Sequence, residues 1–214
     1  LTSCKRKVTA NTDDKNALPD PLYILQILRN LTDDDTIIAT DVGQHQMWTA
    51  QHFGIKKPRT FLTSGGLGTM GYGLGAAIGA QYAKPNGRVV LISGDGSFHM
   101  NMNELTTLAS YNLPIVVLVM NNRVLGMVRQ WQKVFYDGRF SATDPHRKTD
   151  FVKLAEAFGC KGMRISKNSE VEEVLESALE AGGPVVVDCR VSPDANVLPM
   201  IPPGGTIDEI IEEM

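Results

Sequence analysis

Two apolar runs constrain this chain more than any other feature. Arg88-Val-Val-Leu-Ile-Ser93 and Ile115-Val-Val-Leu-Val-Met120 are uncharged after their first residue and rich in β-branched side chains. Neither alternates with polar residues, so each reads as a strand buried on both faces, as in the interior of a parallel sheet. The segment 101–112 between them has a helical pattern, and Pro114 stands at the start of the second run, where a missing N–H is tolerated. A strand–helix–strand crossover of this kind makes the two strands parallel. Each run ends in a polar cluster: Gly94-Asp95-Gly96 after the first, Asn121-Asn122 after the second. Ligands of open parallel sheets gather at the carboxyl ends of the strands. Asp95 and Asn122 are therefore predicted to converge as oxygen donors for a small divalent cation. Mg²⁺ suits such a site, since it takes few protein ligands and fills its octahedron with waters and phosphate oxygens. The spacing predicts a diphosphate–metal site.

The remaining chain continues the alternation. Asp20-Pro21 reads as an N-cap followed by proline at the first helical position. Strands are predicted at 36–40, 59–63, 162–166 and 185–191, and helices at 44–51, within 64–83, 123–133, 150–158 and 169–181. The last of these carries Glu172, Glu173, Glu176 and Glu180 on a solvated side. The segment 135–148 reads as loop, and an extended tail ends in a small acidic helix. The fold class that follows is α/β: a doubly wound, mainly parallel sheet of about six strands with helices on both faces. Residues 1–19 read as a linker or arm, and 20–214 as one domain. Gly71, Gly75 and Gly79 recur every four residues and predict a smooth helix face for close packing.

Gly66-Leu-Gly68-Thr-Met-Gly71 also matches the dinucleotide fingerprint G-x-G-x-x-G, with Asp95 at roughly the acidic offset. Against that reading, the preceding strand is short and the acid sits inside Gly-Asp-Gly. A net charge of −3 gives no basic surface for nucleic acid or an anionic membrane, and no apolar stretch reaches the roughly 20 residues that span a bilayer. Cys4, Cys160 and Cys189 form no paired framework, which points to a reducing compartment: cytoplasmic, or organellar in a eukaryote. The start lacks an initiator methionine and an apolar signal core, and reads as that of a fragment or processed form.

The Gly-Asp-Gly to Asn-Asn pairing resembles the thiamine-diphosphate signature. Reading outward, Asp41-Val-Gly-Gln-His-Gln-Met-Trp48, Thr63-Ser-Gly-Gly-Leu-Gly-Thr-Met-Gly71, Gly94-Asp-Gly-Ser-Phe98, Leu125-Gly-Met-Val-Arg-Gln-Trp131 and Val197-Leu-Pro-Met-Ile-Pro-Pro-Gly-Gly205 resemble the large catalytic subunit of the acetolactate (acetohydroxyacid) synthase family. The likeness runs from about residue 20 to 210 and covers that subunit's C-terminal third. It implies thiamine-diphosphate-dependent decarboxylation of pyruvate and carboligation to a second 2-oxoacid, pyruvate or 2-oxobutyrate, in branched-chain amino-acid biosynthesis. Asp95, Asn122 and the carbonyl of Val124 would bind Mg²⁺. Val42, Gly43, Gln44, His45, Gly94, Gly96 and Ser97 would line the diphosphate, with Ser97 donating to it. Gly68 and Met70 would meet the aminopyrimidine, and Met127 would help bend the cofactor. Trp131 would face the second substrate. Gly75 stands where the family pattern leads us to expect proline.

Plainer roles remain open at these positions: a satisfied loop histidine for His45, core filling for Met70 and Met127, a core or interface anchor for Trp131. Further implications of the resemblance lie outside these 214 residues. They are an activating glutamate in the N-terminal domain of a neighbouring subunit, FAD in a middle domain of the complete enzyme, a homo-oligomer and a possible regulatory subunit. The chain alone is expected to be inactive. Another thiamine-diphosphate decarboxylase, oxidase or carboligase, or a non-catalytic binding module, is the alternative.

Overall fold

Six strands form one sheet in the order β2-β1-β3-β4-β6-β5, and every neighbouring pair is parallel. They are β1 (Ile37–Thr40), β2 (Phe61–Leu62), β3 (Val89–Gly94), β4 (Ile115–Asn121), β5 (Lys161–Ile165) and β6 (Val185–Arg190). The structure, a computed structural model, describes residues 17–213. Most of the expected arm, and Cys4 with it, lies outside the described residues. The helices are α1 (Pro21–Leu31), α2 (Gln44–His52), α3 (Tyr72–Ala83), α4 (Asp95–Asn101), α5 (Leu105–Ser110), α6 (Gly126–Phe135), α7 (Phe151–Ala157) and α8 (Val171–Leu179).

The two apolar runs behave as their composition requires. Along β3, Val90 and Ile92 enter one apolar layer with Leu25 and Leu28 of α1, Trp48 of α2 and Leu175 of α8. Val89 and Leu91 point the other way, toward Leu74 of α3, Leu105 and Leu108 of α5 and Phe151 of α7. Side chains alternate across a strand, so a strand with no polar residue must be covered twice. Each fully buried Val, Leu or Ile contributes about 1.5–3 kcal/mol relative to exposure, which makes this double coverage the main stabilising term. The edge strands differ: β2 is only two residues long, and β5 buries Ile165 alone among its five residues. Cys189 is fully buried in β6, as a small apolar residue would be.

Helix α1 begins as predicted, with Asp20 Oδ1 accepting from the Leu22 N–H at 2.8 Å and Pro21 at the first helical position. Two expectations change. The helix expected over 101–112 starts earlier and is broken. Asp95 already opens α4, a 3₁₀ turn spans Met102–Glu104, and α5 follows. Asn101 leaves helical geometry (φ −142°) while its side-chain amide donates to the Gly71 carbonyl at 3.1 Å. An asparagine bonded elsewhere competes with the helix in this way.

The second change concerns α3. Gly75 and Gly79 are exposed, and a Cβ at either would meet no atom within 4 Å. The close approach is made by Gly73, where a Cβ would lie 2.7 Å from Leu91 Cδ1 and 2.9 Å from the Asp41 nitrogen. Gly71 caps the helix in the left-handed region (φ 93°), which glycine adopts without steric cost.

The two glycines should therefore respond oppositely to one methyl group. Gly73→Ala is expected to destabilise the fold by roughly 1–3 kcal/mol through overpacking. Gly75→Ala is expected to stabilise it by about 0.5–1 kcal/mol through helix propensity. Urea unfolding of the two variants measures both, and equal effects would contradict the packing described.

Candidate functional site

Strands β1 and β3 are neighbours, but the chain leaves β1 toward β2 on one side and returns as β3 on the other. This reversal is where open α/β sheets form a crevice at their carboxyl edge. The segments following β1, β3 and β4 all open into it. Val42, Gly43, Gln44, His45, Met70, Gly94, Asp95, Gly96, Ser97, Asn122, Val124 and Met127 line one cleft of about 210 Å³. Small-molecule sites usually enclose about 300–1,000 Å³, so the cleft is smaller than most of them. Two predicted residues lie outside the lining. Gly68 is exposed, in the left-handed region (φ 62°), where a Cβ would be 3.8 Å from Val42 Cγ1. Trp131 lies one turn beyond Met127 on α6, 39% exposed, edge-on to the Phe135 ring.

Asp95 is only 3% exposed. Burial pushes its carboxyl from the ordinary 3.8 up to about 6. The Arg147 guanidinium, with Nη1 3.6 Å from Oδ2, and backbone N–H groups of Asp95 and Gly96 pull in the opposite direction. Behind it, His99 bridges the Asp95 carbonyl (Nδ1, 2.5 Å) and the Thr149 hydroxyl (Nε2, 2.7 Å), a structural role.

Asn122 is held by its amide. Its Nδ2 donates to Gln44 Oε1 at 3.1 Å, and its Oδ1 accepts from the Val124 N–H at 3.1 Å. Gln44 is fixed in turn, with Nε2 donating to Gln130 Oε1 and to the Ala195 carbonyl, both at 2.9 Å. Gln130 closes the circuit with Val197, donating to its carbonyl and accepting from its N–H. Asn121 points away, donating to the fully buried Asp188 at 2.7 Å. Asp188 also receives Arg164 and Arg190, which anchors the end of β4 to β6.

His45 lies against the Gly94 backbone, so closely that a Cβ there would fall 2.7 Å from Nδ1. A Cβ at Gly126 would likewise collide with Gln44 Oε1. Gly43 precedes α2 at φ 151°, a conformation open to glycine alone. Burial lowers the His45 imidazole to about 3 despite its bond to the Asp41 carbonyl, so the ring is neutral. Asp41 ties the loops together by accepting from Gly71 N (2.8 Å) and Val42 N (2.9 Å). The Ser97 hydroxyl donates to the Val42 carbonyl at 2.5 Å, so its proton is already engaged within the protein.

The donor set suits a hard cation with an anionic ligand. Among the described residues no three His, Cys, Asp or Glu side chains form a metal cluster. The oxygens here are a carboxylate, a carboxamide and the Val124 carbonyl, few and hard, as Mg²⁺ accepts. The buried carboxylate has its charge disfavoured by the surroundings, and His45 Nε2 is buried with no hydrogen-bond partner. Both are polar groups that a ligand would satisfy. Sequence reasoning missed Arg147, Gln130 and Asp41. Arg147 falls in a segment read as loop, and no local pattern announces its reach to Asp95.

Residues 41–189 match a family model described as the thiamine pyrophosphate enzyme, C-terminal TPP binding domain. The chain is 46% identical over 198 residues to the acetolactate synthase isozyme 2 large subunit of Escherichia coli (strain K12), across 91% of this chain and 36% of that protein. It is 48% identical over 187 residues to the mitochondrial acetolactate synthase catalytic subunit of Saccharomyces cerevisiae, across 87% and 27% respectively. With the chloroplastic acetolactate synthase of Arabidopsis thaliana it shares 46% over 204 residues, across 92% and 30%. The chain thus spans about a third of the length of the curated relatives it matches.

The buried Asp95 predicts a pH signature. Well below pH 4 the carboxyl is protonated in both folded and unfolded states. As pH rises through 4 to 6 the unfolded chain ionises first, so the folded state loses stability. The rise from 3.8 to about 6 corresponds to about 3 kcal/mol. Asp95→Asn is therefore expected to be the more stable protein without metal at pH 8, with its advantage vanishing near pH 4. Urea unfolding across that range tests this, and an advantage independent of pH would contradict it.

Proposed function

The chain belongs to the thiamine pyrophosphate enzymes, as their C-terminal cofactor-binding domain, and from that premise we propose that it is the cofactor-binding third of an acetolactate synthase large subunit. The complete enzyme would decarboxylate pyruvate and join the two-carbon unit to a second 2-oxoacid, pyruvate or 2-oxobutyrate. The observation that carries this reading is the meeting of buried Asp95 and Asn122 in one cleft with His45 and Gln44.

Asp95, Asn122 and the Val124 carbonyl would hold Mg²⁺. Gly43, Gly94 and Gly96 would let backbone approach the diphosphate end, and His45, whose Nδ1–H is engaged by the Asp41 carbonyl, would donate there only once a bound anion draws a proton onto Nε2. Gln44 works indirectly, by fixing which end of the Asn122 amide faces the cleft. When bound, thiamine diphosphate supplies the electron sink for decarboxylation. Met70 and Met127 line the cleft from separate elements and exclude water from its apolar part. Trp131, on the same face of α6 as Met127, would pack against the second 2-oxoacid. One methyl's worth of such packing discriminates by about 1–3 kcal/mol, enough to favour 2-oxobutyrate over pyruvate.

The second wall of the cleft would come from the N-terminal domain of a neighbouring subunit in a homo-oligomer, and FAD would occupy a middle domain. A regulatory subunit fits the same reading. No helix among the described residues is long and apolar enough to cross a membrane. The setting we propose is cytoplasmic, or organellar in a eukaryote.

Trp48 lines the cleft and Trp131 stands on α6 beside it, so intrinsic fluorescence reports occupancy. Saturable quenching by thiamine diphosphate is expected with Mg²⁺ present, lost with chelator and absent in Asp95→Ala. Quenching indifferent to Mg²⁺ would overturn the metal assignment. With pyruvate, the complete enzyme should yield acetolactate; acetaldehyde as the main product would place it among the decarboxylases instead. Trp131→Leu should lower the preference for 2-oxobutyrate by about tenfold or more.

A further inference from the structure

A second cavity of about 330 Å³ lies on the other side of Asp95, within the size range of small-molecule sites. Its walls carry Arg123, Arg147, Lys148 and Arg190, with the Thr149 hydroxyl, against the carboxylates of Asp95 and Asp150. Four cations around one hollow stand out in a chain whose net charge is −3.

The acidic groups are occupied. Asp150 caps α7 through Val152 N and Lys153 N and pairs with Arg164 at 2.6 Å. Asp95 faces the cofactor cleft as well as Arg147. Among the cations Arg190 is committed to buried Asp188 at 2.8 Å, and Arg147 forms a longer ion pair with Asp95 at 3.6 Å. Arg123 and Lys148 are exposed and make no ion pair among the described residues. Arg147 Nη1 is buried without a hydrogen-bond partner, because Asp95 at 3.6 Å is beyond hydrogen-bond reach. Arg123 is held at φ 63°, an uncommon conformation for a residue with a side chain. The unpaired Arg123 and Lys148, with the Arg147 Nη1 that no hydrogen bond satisfies, line one cavity and match an oxyanion, and a guanidinium fork suits phosphate oxygens best when two charges are to be balanced.

We propose that this cavity is an anion site, separate from the cofactor cleft, that takes a phosphate dianion, free or esterified, between Arg123, Arg147 and Lys148. The assignment rests on the cavity's own residues and stands independently of the acetolactate synthase reading.

The test is calorimetric titration of the full-length protein at constant ionic strength, with inorganic phosphate in one arm and glycerol 3-phosphate in the other. Saturable binding of one anion per chain is expected, and the tighter arm identifies the free or the esterified source. The double variant R123Q/K148Q changes exposed side chains only. It is expected to weaken that binding by about tenfold or more while Mg²⁺-dependent thiamine diphosphate quenching is retained. Non-saturable binding in both arms, wild-type affinity in the double variant, or stoichiometric displacement of phosphate by thiamine diphosphate would each overturn the proposal. Loss of thiamine diphosphate quenching in the wild-type protein would sink the cofactor reading and leave this titration unaffected.

Discussion

The carboxylate of Asp95 is almost wholly buried, between two hollows at the carboxyl edge of the sheet, and much of the surrounding structure compensates for that placement. Burial alone would drive the group to its neutral form. Arg147 and two backbone N–H groups offset part of the cost without removing it. A divalent cation would remove it, so under the proposed function the incompletely offset charge here would be a form of preparation for binding. The protein is less stable than it could be at this point, as binding sites commonly are.

The second proposed donor is prepared differently. Asn122 carries no charge, so its orientation has to be imposed by hydrogen bonds. Gln44 imposes it, and Gln44 is itself fixed by Gln130 and by the backbone at Ala195. Side-chain amides suit this work, because each can donate and accept at once and pass an orientation along a chain of partners. The glycines at 94 and 126 are the steric counterpart: the imidazole of His45 and the amide of Gln44 occupy the space their side chains would need. Electrostatics at Asp95 and geometry at Asn122 thus meet in one cleft by separate routes.

What could be read in the sequence follows from range. All six strands were legible to within about two residues, because an uninterrupted β-branched run has few alternatives and its partners lie one crossover away. The coming together of Asp95 and Asn122 was legible for the same reason, since parallel strands place their carboxyl ends side by side. Gly73 was not singled out among the glycines of α3, because which helix face meets Leu91 and Asp41 is decided by packing and not by spacing. The break at Asn101 escaped because its amide bonds Gly71, thirty positions earlier. Arg147 escaped for a like reason: it reaches Asp95 from an irregular segment with no period to follow. Gln130 reads as one more polar residue on an amphipathic helix, and only the returning tail reveals its role. Ser97 lines the cleft as expected, while its bond to the Val42 carbonyl, which ties α4 to the loop after β1, could not be read from spacing.

That returning tail has a temporal consequence. The indole of Trp48 donates to the Asn196 carbonyl, 148 positions away, and Gln44 reaches Ala195 across 151. Chains grow from the amino terminus, and contacts so distant in sequence form late, after the entropy of closing a very long loop has been met. The sheet from β1 through β4 can therefore gather on an emerging polypeptide while the tail's share of the bracing behind Asn122, at Ala195 and Val197, is still unmade. A nascent chain arrested before residue 195 would carry the strands of the crevice, and Gln44 against Gln130, without the backbone that pins both from behind.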